Sequence, residues 1–251
     1  EELVEYAQAG GSLLLLGPNA AEMFAASLGV RFPDAAASRS EATEGSVGWD
    51  GSWQAGASTD AADEVPAQVR SSFGAGMCNG LWRRVELDGA EAVGYRWPTF
   101  DTRGEGEIAS TVAPLGDGLI GAVYGPLGQQ YLAAHRPALR HFIGDLAARL
   151  FAEPAAQTDA PACVDIALRR TVDGRLSLHL LNLAEAQRAG SFQSPDFIPT
   201  LGPIQVRLLV SEEPSSVTWE PSGDALDWSW ADGALTVTVP ALHIHGVVIV
   251  T

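Results

Sequence analysis

The spacing of apolar residues changes near residue 155, and this change limits the fold more than any other feature of the sequence. Before it, segments with helical spacing alternate with short apolar runs; after it, nearly every apolar run alternates with a period of two. A period of 3.6 residues is typical of amphipathic helices and a period of two is typical of half-buried strands. We therefore expect two domains of different class, residues 1–154 and residues 162–251, joined by a polar, proline-flanked linker.

Residues 1–154 show the order of elements of an α/β layer. An opening helix stops at Gly10-Gly11, and the unalternating run of residues 12–16 indicates a strand that is covered on both faces. A second helix is expected over residues 20–28. This order predicts a partial doubly wound layer that lacks at least one upstream strand.

Further elements of this layer are expected between residues 81 and 150. Residues 81–87 and 91–97 alternate around Asp88-Gly89, which predicts a β-hairpin, and later strands are expected at 107–113 and 119–124. An amphipathic helix should begin at Pro137, because an apolar stripe at helical spacing follows it: Leu139, Phe142, Ile143, Leu146 and Leu150.

Residues 162–251 contain seven short runs of period two, separated by turns at Gly174, Gly223 and Asp232-Gly233. Several short strands at regular spacing are typical of an antiparallel β-sandwich. Residues 184–203, rich in Pro, Gly and Ser, would form its one long connection.

The charge of the chain excludes some classes of partner. Fifteen basic residues against 31 acidic ones give a net charge of −16. Such a chain repels phosphate backbones and anionic lipid, so nucleic-acid and membrane partners are not expected. The first residue is Glu rather than Met, which suggests a processed chain or part of a longer one.

Two cysteines, Cys78 and Cys163, are too far apart in sequence to form a zinc motif. The sequence does not decide whether these two cysteines form a disulfide bond. It does not fix the cellular compartment either, and a cytoplasmic location is the working expectation. Gly76-Met-Cys-Asn-Gly80 matches the G-x-C-x-G turn that carries the nucleophile of class I glutamine amidotransferases. That chemistry needs a strand before the cysteine, a helix after it and an H-x-E pair downstream, and the sequence offers none of these.

Other candidate sites have simpler structural interpretations. His243 and His245 would lie on one face of a strand, where a metal needs a third ligand that the sequence does not identify. Asp101, Glu105 and Glu107 follow an aromatic residue that could stack on a sugar, yet a solvated acidic loop is the favoured interpretation. Trp49, Trp53 and Trp97 are the residues that we assign to sugar contact, although most tryptophans belong to the core. Trp228 and Trp230 should both face the sandwich core.

Three segments together resemble a known kind of protein. Residues 5–17, 115–126 and 140–146 are similar to the amidotransferase-like α/β domain of bacterial β-galactosidases. The stretches 178–183 and 239–245 resemble the β-sandwich that ends such enzymes and related α-fucosidase-like hydrolases. In that family the α/β domain follows a catalytic (β/α)8 barrel and helps to form a trimer.

The resemblance implies that this chain is the C-terminal, non-catalytic region of a glycoside hydrolase. The family's catalytic carboxylates belong to the barrel, so we assign no catalytic residue, cofactor or metal to residues 1–251. The expected partners are an upstream barrel of the same polypeptide, further copies of the chain and carbohydrate. The alternatives are a carbohydrate-binding module and a thiol amidase that uses Cys78.

Overall fold

A computed structural model describes residues 1–33, 67–99, 101–184 and 197–251 of the chain. The chain separates into two compact units, Glu1–Ala152 and Glu153–Thr251. Each unit contains hydrophobic core of its own.

A six-stranded mixed sheet forms the centre of the first unit, with the strand order β1-β8-β7-β6-β3-β4. Its strands and those of a small two-stranded ladder, β2–β5, are β1 Ser12–Leu16, β2 Val30–Arg31, β3 Gln68–Arg70, β4 Ala75–Met77, β5 Glu86–Leu87, β6 Glu91–Trp97, β7 Glu107–Leu115 and β8 Gly118–Val123. The helices are α1 Glu2–Gln8, α2 Pro18–Met23, α3 Leu127–Ala134 and α4 Pro137–Leu150, with a 3₁₀ turn at Ala25–Ser27.

Both faces of this sheet are covered. On one face α4 buries Leu139, Phe142, Leu146 and Leu150 against a cluster that includes Val123 of β8. On the other face, Ile120 of β8 belongs to a second cluster, which also contains Ala21 of α2, Leu28 just after the 3₁₀ turn and Val30 of β2. A strand covered on both sides has no polar face, which explains why β1 and β8 are apolar without alternation.

The sheet is not the parallel layer that the sequence predicts. Strands β1 and β8 are parallel, whereas the four other neighbouring pairs that the structure describes in this sheet are antiparallel. The doubly wound, amidotransferase-like layer is therefore not confirmed, although a β-rich fold is present. An apolar run shows that a strand is buried, and it carries no information on the direction of its neighbours.

The hairpin expected from residues 81–97 is also wrong. Residues 81–85 are not in a strand, and β5 pairs with β2 through Val30 and Leu87. The amides of Asp88 and Ala90 both donate to the carbonyl oxygen of Gly29. The Asp88-Gly89 turn is thus bonded to another segment instead of joining β5 to β6.

The second unit consists of two antiparallel sheets around one core. The five-stranded sheet has the order β10-β11-β17-β13-β14 and the four-stranded sheet has the order β15-β16-β12-β9. The strands are β9 Ala156–Thr158, β10 Val164–Arg170, β11 Leu176–Asn182, β12 Ile204–Leu209, β13 Val217–Glu220, β14 Asp224–Ala225, β15 Asp227–Ala231, β16 Ala234–Val239 and β17 His245–Val250.

Inward-facing residues of both sheets form a single cluster, in which Leu178 and Val248 of one sheet join Val206 and Leu235 of the other. This is the β-sandwich expected from the period-two pattern. None of the helices in the described parts of the chain has the length and apolar character needed to cross a membrane.

Candidate functional site

In sheets with parallel strands, ligands commonly bind beyond the carboxyl ends of those strands. Here β1 and β8 end next to Gly17 and Tyr124-Gly125. The indole of Trp82 lies against Gly125 so closely that a side chain at 125 would overlap it. Trp82 is 8% exposed, and its Nε1 donates to the carbonyl oxygen of Cys78 at 3.0 Å. This end of the sheet is therefore filled by a packed tryptophan.

Cys78 follows β4, a short strand at the edge of the sheet, and is fully buried. The sequence predicts no strand before Cys78, and the presence of β4 shows that this prediction is wrong. The sequence also predicts no helix after Cys78, and residues 79–85 are not helical. Burial raises the pKa of the Cys78 thiol to about 12, and the charge of Arg136 lowers it by less. Because the thiolate is the reactive form, a thiol with this pKa is not a nucleophile at neutral pH. Cys78 and Cys163 are both free thiols.

A charged cluster lies between β6 and β7. Arg96 is 8% exposed, stands 5.4 Å from the centroid of the Trp82 ring and pairs with Oε2 of Glu107. The other carboxylate oxygen of Glu107 accepts from Arg84 at 3.4 Å. Burial lowers the pKa of Arg96, and the carboxylate of Glu107 opposes this effect. The sequence does not predict this pair, because strand register alone brings Arg96 and Glu107 opposite each other.

A cavity of about 510 Å³ borders this cluster. Its charged lining consists of Arg83, Arg84, Arg96, Glu86 and Glu107. Arg83 pairs with Glu22 outside the cavity, and both oxygens of Glu107 already face arginines. A carboxylate held in this way is not free to serve as the nucleophile or acid of a glycosidase.

Trp97 lies on the same strand face as Tyr95, and Gly106 lies against Cβ of Tyr95 and the ring of Trp97. A Cβ atom at position 106 would lie 2.8 Å from Cβ of Tyr95 and 3.0 Å from the Trp97 ring, so the close approach requires glycine. Trp97 donates from Nε1 to the carbonyl oxygen of Gly104 at 2.8 Å, and Tyr95 is 42% exposed. We call Tyr95 and Trp97 the aromatic pair; two partly exposed rings on one strand face are a surface on which a sugar can stack.

Of the three predicted acidic residues, Asp101 and Glu105 do not line the cavity that borders Glu107. Asp101 accepts from Nε and Nη2 of Arg103 at 2.8 and 2.9 Å, and these side-chain hydrogen bonds, with one from the Arg103 amide, lower the pKa of its carboxyl. Glu105 is exposed. Asp101 thus stays ionised and bonded to its neighbour, which favours the interpretation of a solvated acidic loop.

Trp49 and Trp53, the other two predicted sugar contacts, lie outside the described residues. Trp228 and Trp230 pack half-buried against the sandwich core. A cleft of about 800 Å³ at the end of the sandwich is lined by the turn residues Asp173 to Leu176 and the loop Ser211 to Pro214. Its lining includes no aromatic ring, so it offers a sugar no stacking surface.

His243 and His245, the two histidines considered for a metal, do not lie on one strand. Strand β17 begins at His245, so His243 lies outside the regular strand and is exposed. His245 instead meets His179 of β11, with its Nε2 3.2 Å from Nδ1 of His179. Among the residues placed by the structure, no group of three His, Cys, Asp or Glu side chains could hold a metal ion.

The fold of most of the chain is similar to that of a region within larger solved structures. Over 74% of its length the chain is similar in structure to 31% of α-L-fucosidase isoenzyme 2 from Paenibacillus thiaminolyticus, with a TM-score of 0.58 and 18% identity. It also resembles β-galactosidases from Bacillus circulans sp. alkalophilus (TM-score 0.49, 13% identity, 99% of this chain and 30% of that one) and from Rahnella sp. R3 (TM-score 0.47, 16% identity, 97% and 29%).

The chain thus spans about a third of the length of these glycoside hydrolases. The resemblance to part of such enzymes that the sequence predicts is confirmed for the fold. No family model and no curated protein matches the sequence.

Proposed function

We propose that this chain is a non-catalytic accessory region of a multidomain glycoside hydrolase and that it packs on a catalytic barrel of the same polypeptide. The observation that carries the proposal is the structural similarity of 74% of this chain to 31% of an α-L-fucosidase chain. An accessory region explains why the chain forms two compact units and yet spans only 31% of the length of the similar fucosidase.

The chemistry of the described residues supports the same role. The sheet end where a ligand would bind holds Trp82, and Glu107 is committed to two arginines. The thiol amidase alternative loses its basis, since Cys78 is buried and its pKa is raised to about 12.

Two finer parts of the proposal concern the first unit. The parallel β1–β8 pair with glycine at both carboxyl ends supports derivation from an amidotransferase-like layer. The family resemblance implies that this unit also mediates contacts between copies of the enzyme. Sedimentation velocity of the full-length enzyme and of a form without residues 1–152 tests this; equal oligomeric states would contradict it.

The main proposal is tested with the 251-residue chain alone on 4-nitrophenyl α-L-fucoside and 4-nitrophenyl β-D-galactoside. We expect no turnover above buffer, and we expect the gene to encode, upstream of Glu1, a (β/α)8 barrel with paired carboxylates at strand ends. Turnover by the purified chain would place an active site within it and end the proposal.

A second candidate function is carbohydrate contact at the aromatic pair. Tyr95 is 42% exposed and Trp97 is partly exposed. The Trp97 indole bonds to Gly104, the residue after Arg103, and the Arg103 side chain bonds to Asp101. Sugars bind such surfaces by stacking on rings and bonding to nearby polar groups.

This function is tested by affinity electrophoresis of the chain in gels that contain galactan or fucoidan. Trp97→Ala should remove any retardation, whereas Phe73→Ala, which alters another exposed aromatic residue, should leave it unchanged. Absence of retardation in wild type, or equal retardation in all three proteins, would count against the aromatic pair.

A further inference from the structure

The outer face of the five-stranded sheet carries a histidine pair that the proposed function does not use. His179 on β11 and His245 on β17 are diagonal neighbours across the ladder, because Leu181 pairs with His245 and His179 pairs with Val247. Diagonal side chains in an antiparallel pair are within reach when they are aromatic or long. His245 is exposed and His179 is half-buried, so solvent and small ions have access to both.

The two imidazoles meet by their edges. Their planes differ by 13°, and Nδ1 of His179 lies 3.2 Å from Nε2 of His245 while the ring centroids are 5.4 Å apart. The nitrogen atoms are therefore the closest points of the two rings, with one nitrogen as donor and the other as acceptor.

Asp165 adds a carboxylate to the same face of the sheet. It pairs with Leu181 and so occupies the same cross-strand row as His245, diagonal to His179 on the side opposite β17. Asp165, His179 and His245 line one cleft of about 530 Å³, together with Ala167, Leu181 and Arg169. Arg169, two positions beyond Ala167, brings the one positive charge in this lining.

We propose that His179 and His245 form a two-imidazole binding site for a divalent transition-metal ion of the zinc and copper class, with water as the remaining ligands. The carboxylate of Asp165 lies in the same cleft and adds negative charge near the ion without ligating it. Two imidazole nitrogens bound at about 2.0–2.1 Å to a tetrahedral ion lie about 3.3 Å apart, close to the spacing in this pair. The lone pairs converge on one ion when each ring turns by about 35° from the direction in which the two nitrogens face each other.

Both imidazoles can bind the ion in their neutral form, whichever of them donates the proton in the hydrogen bond. The ring that donates in the histidine pair gives up that proton to solvent and takes one at its other nitrogen, so both imidazoles stay neutral and both bind through a free lone pair. Neutral imidazole is the form that binds Zn²⁺, Cu²⁺ and Ni²⁺, whereas Mg²⁺ and Ca²⁺ prefer oxygen ligands. The site should therefore discriminate between these two groups of ions.

The test is calorimetric titration of the 251-residue chain with Zn²⁺ at neutral pH, accompanied by Cu²⁺ electron paramagnetic resonance to count nitrogen ligands. We expect one site in wild type that Mg²⁺ does not occupy, and a Cu²⁺ spectrum with two coordinated nitrogens. His179→Ala and His245→Ala should each weaken Zn²⁺ binding at least about tenfold, equivalent to about 1.4 kcal/mol. Asp165→Asn should weaken it less.

His243→Ala is the matched control, since His243 is an exposed histidine two residues before His245. It should bind Zn²⁺ as wild type does, and circular dichroism should show that each exposed-site variant keeps its fold. If wild type takes up no Zn²⁺, or if His179→Ala and His243→Ala bind equally, the histidine pair is not a metal site.

Discussion

The guanidinium carbon of Arg96 lies 5.4 Å from the centroid of the Trp82 ring, and the same side chain pairs with Glu107. Arg96 is thereby removed from water with an aromatic ring and a carboxylate as its main partners. A cation in this position depends on its carboxylate, because an unpaired buried charge is costly.

Glu107→Gln should therefore lower the free energy of unfolding by about 1–3 kcal/mol, less than for a fully buried pair because the Glu107 side chain is 34% exposed. Urea unfolding gives the measurement. Glu105→Gln, an exposed carboxylate two residues away, should change stability by no more than about 0.5 kcal/mol. Equal effects from the two substitutions would mean that the buried ion pair does not stabilise the fold.

Stability should fall at alkaline pH because of Cys78. Its pKa rises from 9.0 to about 12 on folding, so above pH 9 the unfolded chain loses a proton that the folded chain keeps. The stabilisation is complete below pH 9 and is lost as pH rises toward 12, with a slope of about 1 kcal/mol per pH unit between pH 9 and 10.

Cys78→Ala should remove this slope, measured as the free energy of unfolding in urea between pH 9 and 10. Cys163→Ala is the control for loss of a thiol that is partly exposed, and it should keep the slope. Parallel pH profiles for wild type and Cys78→Ala would contradict the burial argument.

Thr111 and Tyr124 should behave as a coupled pair. Their hydroxyl oxygens are 2.5 Å apart and both residues are fully buried; burial raises the pKa of Tyr124 to about 12. Tyr124→Phe or Thr111→Val alone leaves one buried hydroxyl without its partner and should cost about 1–3 kcal/mol. The double variant should cost less than the sum, and additivity within about 0.5 kcal/mol would argue against a functional hydrogen bond.

Asn182 should stabilise the end of β11 by bonding it to the backbone at Pro199 and His243. Its Nδ2 donates to the carbonyl oxygens of Pro199 and His243, both at 2.8 Å, and its Oδ1 accepts from the Ala184 amide at 3.1 Å. Asn182→Ala should lower the free energy of unfolding by about 2–3 kcal/mol. Gln205→Ala removes an amide that bonds to Thr238 at an exposed position, so thermal unfolding should show a much smaller loss. A similar loss in both variants would refute the special role of Asn182.

Local sequence patterns predict the helices and strands that bury one face and expose the other. Helix α4 begins at Pro137 and buries four of the five residues of the predicted stripe. The sandwich strands follow from their period-two alternation, because one face of each sheet packs on the core.

The sequence does not show which strands pair when they lie far apart along the chain. The run at residues 12–16 has the same composition in a parallel or a mixed sheet, so the antiparallel neighbours of β7 were not predictable. The register that joins Arg96 to Glu107 includes two irregularities in β6 and β7. The same limit applies to the site: the sequence predicts that His243 and His245 share a strand face, whereas the ladder between β11 and β17 brings His179 to His245.

The contact between Trp82 and Gly125 restricts which residues these two positions can carry. The indole occupies the volume into which any side chain at 125 would project. A larger residue at 125 is compatible with the fold only if position 82 becomes smaller, so in related chains the two sites should covary, with volume exchanged between them.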